Sequence, residues 1–242
     1  MSTMREAWFL LKSEMMGTRM RIIKVVAFSL VMMGYFGLFT GVMLQERLKD
    51  QDPMIIADYL LLLTVPMLGF VYCRRSLRYW GSDVYTKTLS YLRTLPVPSK
   101  AVLCKRQLQS LLAFCLNGLI FFGLLYALSP DARHSLPPAA YLAFVLAWIG
   151  YGLVITSVFI HFEMAHSGRM YFVAMVVLVA LIAGVAGAVG LSGGNLLLFS
   201  ARLCRDRGLA SPLPWGMLSA GAASLLLMGR WTLQRLKRRD LA

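Results

Sequence analysis

Residues 138–160, PAAYLAFVLAWIGYGLVITSVFI, decide the fold of this chain because they contain no charged side chain. A helix needs about 20 consecutive apolar residues to cross a hydrocarbon core of about 30 Å. This stretch is long enough and apolar enough to make that crossing. The sequence therefore predicts an all-α membrane protein.

The composition of the whole chain agrees with that prediction. Of its 242 residues, 58% are hydrophobic and 15% are charged, whereas soluble domains have about half apolar and about a quarter charged residues. The net charge of +14 does not indicate a nucleic-acid partner, because the bases cluster at the ends of apolar stretches, where they meet lipid headgroups. We expect one transmembrane domain over residues 1–242, with membrane lipid around it.

Five further stretches have the same apolar character, which gives six predicted spans. They lie at residues 22–44, 54–73, 107–128, 138–160, 170–191 and 213–229. Ahead of the first span, residues 1–21 mix aromatic and leucine side chains with charges, a composition typical of a helix lying in the membrane interface. A frayed, charged N-terminus is the alternative.

Lysine and arginine mark the cytoplasmic side of a bilayer. Residues 74–106 hold eight bases and one acid, and the N-terminal segment and the C-terminal tail are also basic. We therefore expect a multi-pass protein of the cell (inner, cytoplasmic) membrane with both termini and residues 74–106 inside. The connection between the fifth and sixth spans disagrees, because it should be external yet carries Arg202, Arg205 and Arg207. We expect residues 195–203 to form a short helix on, or dipping into, the outer leaflet.

The basic segment 74–106 carries the most informative local pattern. Gly81-Ser82-Asp83 offers a break and an N-cap for a helix. The apolar stripe of that predicted helix consists of Tyr85, Leu89, Leu92 and Leu95. Two prolines, Pro96 and Pro98, prevent the helix from continuing, and we expect Ser99 to cap the helix of the third span. An ordinary interfacial loop is the alternative.

The stretch Leu92-Arg93-Thr94-Leu95-Pro96-Val97-Pro98-Ser99-Lys100 resembles a motif of type-2 ATP-binding-cassette (ABC) permeases. In that family a Leu-x-x-Leu-Pro-Val-Ser pattern and a basic residue follow the second of six spans. The predicted topology fits the family over essentially the whole chain. At residues 84–88 the chain reads Val-Tyr-Thr-Lys-Thr, where many members have a Glu-x-Gly-Thr-like stretch.

The resemblance implies the permease subunit of an exporter or flippase that moves a hydrophobic, peptide, drug or lipid-like substrate out of the cytoplasm. Such a subunit pairs with a second copy or a sister permease, and with separate ATPase subunits that hold ATP and magnesium. The stripe would seat in a groove on the ATPase, with Arg93 at its rim and Pro96, Val97 and Pro98 forming a rigid turn. The alternative is a transporter-like scaffold or immunity protein that acts without an ATPase.

A second polar cluster comprises His161, Glu163 and His166, predicted to lie in a solvated cytoplasmic loop between the fourth and fifth spans. Their spacing differs from that of His-Glu-x-x-His zinc sites, so we expect no metal; a second, shorter contact with the ATPase is the functional alternative. The chain has no phosphate-binding Gly-rich loop and no catalytic motif. We therefore expect it to be no enzyme, with no catalytic residues and no cofactor of its own.

Small residues recur in the last two predicted spans. Gly184, Gly187 and Gly190 in the fifth span each have an alanine four positions away, and the sixth span repeats the pattern with Gly216 and Ala220. This small-xxx-small spacing permits close helix approach in lipid. We expect these spans to pack against each other rather than to form a contact between two copies. Polar residues within spans are few, and no carboxylate has a predicted midplane position, which favours an externally powered machine over an ion-coupled transporter.

Overall fold

The computed structural model describes residues 3–16, 19–50, 55–70 and 97–238, and within these ranges every regular element is a helix. The elements are α1 (Thr3–Met16), α2 (Arg19–Asp50), α3 (Ile55–Met67), α4 (Ser99–Leu128), α5 (Pro130–Ser135), α6 (Pro138–Ala165), α7 (Gly168–Leu191), α8 (Leu196–Arg207), a 3₁₀ turn (Gly208–Ala210) and α9 (Pro212–Arg238). The all-α prediction is confirmed for this part of the chain.

Four of the described helices are long and apolar enough to cross a membrane: α2, through Ile23–Val42, and the whole of α4, α6 and α7. They correspond to the first, third, fourth and fifth predicted spans. The described part of the second predicted span, α3, has 13 residues. The helix of the sixth, α9, has 27 residues but is less apolar than the four, since Gly, Ala and Ser are frequent in its first half and four bases occupy its last nine residues. The protein is thus membrane-embedded by length and composition.

Helix α6 lies at the centre and α7 at the edge. In the most apolar stretch of α6, 61% of the residues are buried inside the protein, whereas in that of α7 only 11% are buried. The closest approach in the core brings α6 against α9, because a Cβ at Gly150 would overlap the backbone of Met217, and one at Gly221 would lie 2.8 Å from the Gly150 carbonyl oxygen. These two glycines, rather than the stripe in the fifth predicted span, make the tight helix–helix contact.

The predicted packing of the fifth and sixth spans through small residues is therefore wrong. A Cβ added at Gly184, Gly187 or Gly216 would meet no heavy atom within 4 Å. Gly190 does make a close contact, but with the Ile55 side chain of α3. The spacing of small residues shows where helices can approach but does not select the partner helix.

The second predicted span does not continue as a helix through residue 70, because α3 ends at Met67. Pro66 has no N–H to donate to the Leu62 carbonyl, which is the usual reason a proline ends or bends a helix. The Tyr151 hydroxyl of α6 donates to that carbonyl instead, at 3.0 Å. Farther on, the buried Asn117 amide nitrogen donates to the carbonyls of Leu68 and Phe70, at 2.9 and 3.1 Å. Neighbouring helices thus satisfy the backbone that the break exposes, as a membrane interior requires.

The N-terminal helix α1 packs beside α4 with one face. Ala7 and Leu11 are buried, while Trp8 and Phe9 on the other side are 52% and 70% exposed. The Cys104 thiol of α4 lies 3.7 Å from the Met4 sulfur. A helix with exposed aromatic side chains fits the predicted interfacial helix, whose position relative to a membrane stays a prediction.

Candidate functional site

Three helices meet at the end of the molecule where α4 begins and where α6 and α9 finish. Their buried apolar residues form a small cluster of their own, which also contacts Val97, Leu225 and Leu233. We call this region the joined end; its apolar members are Val102 and Leu103 of α4, Ile160 and Met164 of α6, and Leu236 of α9. The cluster holds the three helix ends to one another, and Leu225, which packs against both, connects it to the main core.

The basic segment 74–106 enters the described structure at the joined end. Of its residues predicted to contact the ATPase, Val97 and Pro98 are described; the others, Tyr85, Leu89, Leu92, Arg93, Leu95 and Pro96, lie outside the described residues. Val97 packs on the joined end, and the Pro98 carbonyl accepts hydrogen bonds from the N–H groups of Ala101 and Val102 at 2.8 and 3.3 Å. The prediction that Ser99 caps α4 is wrong: Pro98 occupies the N-cap position and Ser99 is the first helical residue. A proline is tolerated at the N-cap position because the N–H group it lacks would have no acceptor within the helix.

A largely buried ion pair links α4 to α6 next to the apolar cluster of the joined end. The Arg106 Nε lies 3.1 and 3.0 Å from the two carboxylate oxygens of Glu163, and a terminal guanidinium nitrogen lies 2.9 Å from one of them. The other terminal nitrogen donates to the Ser110 hydroxyl at 2.7 Å. The Arg106 and Glu163 side chains are only 15% and 8% exposed. Paired guanidinium and carboxylate groups fix the distance and the rotation of two helices, since both planar groups must stay aligned.

His161, two residues before Glu163 on α6, connects α6 to α9. Its Nδ1 lies 2.9 Å from the Thr232 hydroxyl oxygen, and that hydroxyl donates its proton to the Met228 carbonyl at 2.6 Å. A hydroxyl has one proton, so the Thr232 oxygen can only accept from His161. The hydrogen-bond network therefore assigns the proton to Nδ1 of the imidazole.

The prediction of a solvated loop at residues 161–166 is wrong. His161 and Glu163 belong to the last turns of α6, Glu163 is buried, and His166 is the C-cap residue, whose backbone N–H donates to the Phe162 carbonyl at 3.2 Å. The imidazole rings of His161 and His166 are 5.8 Å apart. Helix α6 extends beyond the apolar stretch because Arg106, which the sequence places far away, neutralises the Glu163 carboxylate. No described residues form a group of three or more metal-ligating side chains.

Gln107, next to Arg106, completes the polar contacts of the joined end. Its amide nitrogen donates to the Leu225 carbonyl of α9 at 3.0 Å, so adjacent residues of α4 hold α6 and α9 respectively. Sequence reasoning missed both residues. Their signal was present, since polar side chains recur through the first turns of α4 before its long apolar run. The partners of Arg106 and Gln107, however, lie more than 50 positions away along the chain.

A second polar site lies at the far end of α7, where α3 meets the short helix α8. The buried Asp58 carboxylate accepts hydrogen bonds from the N–H groups of Leu196 and Leu197 at 2.7 and 2.9 Å. The Asn195 side chain accepts from the N–H of Leu198 at 2.8 Å. The predicted short helix near residues 195–203 is confirmed as a helix, and Asp58 fixes its beginning from another helix. A carboxylate is well placed there because the first N–H groups of a helix lack internal acceptors.

Comparison of the chain with protein-family models, with curated proteins and with solved structures found no match.

Proposed function

We propose that this chain is the membrane-spanning permease subunit of an ATP-driven exporter or flippase of the ABC class. In this proposal it works with separate ATPase subunits that bind ATP and magnesium, and with a second copy of itself or a sister permease. Its substrate is a hydrophobic, peptide, drug or lipid-like molecule that leaves the cytoplasm. The chain hydrolyses no ATP itself.

One observation supports this function above the others: residues 97–100, the end of the stretch that resembles a permease motif, lead into and begin the first turn of α4. Farther along α4, Arg106 binds α6 through Glu163, and Gln107 binds α9. A displacement of residues 85–96 by a bound partner would therefore be transmitted to α4, α6 and α9 together. Rigid helices joined at one end are suited to convert closure of a partner into a rigid-body change.

The six-span topology belongs to the same proposal. It requires α3 and α9 to cross the membrane with the four longer apolar helices, which puts both termini and residues 74–106 in the cytoplasm of a cell whose inner membrane holds the protein. Support comes from the bases near the joined end, where Arg106, Arg230 and Arg235 lie on helices that meet there, since arginine favours the cytoplasmic side.

The test is purification of the tagged full-length protein from its native membrane, followed by measurement of MgATP hydrolysis in the purified sample. We expect a hydrolysing partner to accompany the wild type. Leu92→Asp places a charge on the predicted stripe and should abolish that activity, whereas Ser90→Asp, off the stripe, should leave it unchanged. Both variants carry the same new charge, so the pair separates a docking effect from a general effect of charge.

Two results would overturn the proposal. The first is a wild-type protein that retains full function without any accompanying ATPase, which would favour a scaffold or immunity protein. The second is equal loss or equal retention of the partner in Leu92→Asp and Ser90→Asp. Immunodetection of each variant in the membrane fraction confirms that it has been inserted.

A further inference from the structure

The structure has a cleft of about 380 Å³ between the end of α7, the turn at residues 193–195 and the outer face of α8. Val189, Leu198 and Phe199 give it apolar walls, and Arg202 stands at its edge. We propose that this cleft binds an anionic phospholipid of the surrounding bilayer, with the phosphate on the Arg202 guanidinium and an acyl chain along Phe199 and α7. The proposal concerns a lipid site and does not depend on ATP-driven transport.

The charge in this cleft comes from Arg202 and not from the end of the helix. An exposed helix N-terminus often binds anions through its free N–H groups. Here the N–H groups of Leu196 and Leu197 donate to Asp58, and that of Leu198 donates to Asn195. Arg202 is exposed, and no described carboxylate pairs with it, so its guanidinium is available to a phosphate.

The apolar walls continue into the outer surface of α7. Phe199 is 62% exposed and Leu191, at the end of α7, is 86% exposed. Val185, one to two turns earlier, also faces outward. Since α7 is apolar and barely covered by other helices, lipid chains are its natural surroundings. A lipid whose headgroup sits at Arg202 can therefore lay its chain along a surface that already contacts the bilayer.

Helix α8 holds this arrangement in place through its opposite face. Leu197, Ala201 and Cys204 are buried, and the Trp148 indole of α6 donates to the Ser200 hydroxyl at 3.2 Å. The helix cannot rotate without losing these contacts, so Arg202 stays at the cleft. The proposal also accounts for one of the arginines that disagree with the predicted topology, Arg202, because a base that contacts lipid phosphate need not mark the cytoplasmic side.

Native mass spectrometry of the full-length protein, reconstituted in nanodiscs with equal amounts of phosphatidylglycerol and phosphatidylcholine, tests the site. We expect the released wild type to retain phosphatidylglycerol in preference to phosphatidylcholine. Arg202→Gln should reduce the bound phosphatidylglycerol about fivefold, the factor typical of one basic residue near a lipid surface. Arg205→Gln, which removes the same charge from α8 outside the cleft, should leave it unchanged.

Equal loss in the two variants would overturn the proposal, since it would indicate a diffuse effect of charge on α8. Equal retention of both lipids by the wild type would also overturn it. A further arm adds millimolar glycerol 3-phosphate, which we expect not to displace the lipid. Displacement would mean that the site recognises a free phosphate rather than a membrane lipid. Phe199→Ser, which keeps Arg202, should lower retention as well if the acyl chain lies on that ring.

Discussion

The Tyr151 hydroxyl donates a hydrogen bond to the Leu62 carbonyl, the group that Pro66 leaves without its helical donor. Tyr151 on α6 thus supplies the hydrogen bond that Pro66 removes from α3. Backbone groups in a membrane interior have no water with which to form hydrogen bonds. The break in α3 is therefore stable because the neighbouring helix α6 presents a donor to the Leu62 carbonyl. The central position of α6 and the break in α3 are parts of one arrangement.

Removal of this hydroxyl should destabilise the protein unless the proline is removed too. Tyr151→Phe leaves the Leu62 carbonyl buried without a donor, which we expect to lower the free energy of unfolding by about 1–2 kcal/mol. Pro66→Ala restores the helical N–H, so Tyr151→Phe should have a smaller effect in that background. Thermal unfolding in detergent measures both, with Tyr35→Phe at a 64% exposed site as control. An equal effect of Tyr151→Phe in the two backgrounds contradicts this account.

The Arg106–Glu163 pair should behave as a coupled unit. Arg106→Gln leaves a carboxylate that is 8% exposed without its counter-charge, and breaking such a buried pair destabilises a protein by about 3 kcal/mol or more. We expect the double variant Arg106→Gln, Glu163→Gln to be more stable than Arg106→Gln alone. A double-mutant cycle of unfolding midpoints provides the measurement. Additive effects would show that the two side chains stabilise the helices separately.

A methyl group at Gly150 should separate α6 from α9. The new Cβ overlaps the Met217 backbone, and overpacking of this kind destabilises by about 1–3 kcal/mol. Gly184→Ala, where an added Cβ meets nothing within 4 Å, is the matched control and should be neutral. The unfolding midpoints of the two variants in the same detergent make the comparison. Gly184→Ala being the more destabilising of the two would mean that the α7 surface, and not α6, makes the tight contact.

Asp58 should control access to Cys204 through the start of α8. Cys204 is fully buried, and burial raises the pKa of its thiol, so less thiolate forms at a given pH and alkylation is slow. Asp58→Asn keeps one acceptor oxygen for two N–H donors and weakens the attachment of α8. We expect faster alkylation of Cys204, measured by mass spectrometry after Cys73, Cys104 and Cys115 are replaced by Ser.

The control for this experiment is Asp206→Asn, which removes an exposed carboxylate from the same helix. Its alkylation rate should match that of the parent. In both proteins the rate should rise with pH, because thiolate is the reacting species and a raised pKa moves its formation to higher pH. Unchanged alkylation in Asp58→Asn would mean that the buried face of α8 alone holds the helix in place.

The apolar helices could be predicted from the sequence because each one depends on its own residues. Residues 138–160 lack charge over a span's length, and transfer of such a stretch into hydrocarbon is favourable whatever surrounds it. The short helix after α7 was predictable for a similar reason, since an asparagine N-cap precedes a mixed apolar and basic run.

What the sequence could not provide were the pairings between distant residues. Glu163 looked like part of a solvated loop because a charged residue beyond an apolar stretch is normally hydrated, and only the folded chain brings Arg106 to it. Gly184 has the small-xxx-small pattern and Gly150 does not, yet of the two only Gly150 faces a neighbouring backbone. Composition and periodicity thus determined that the chain forms apolar membrane helices. The tertiary structure alone decided which carboxylates are paired, which glycines are in contact and which face of α8 carries a free arginine, because these depend on distances between helices that no local pattern encodes.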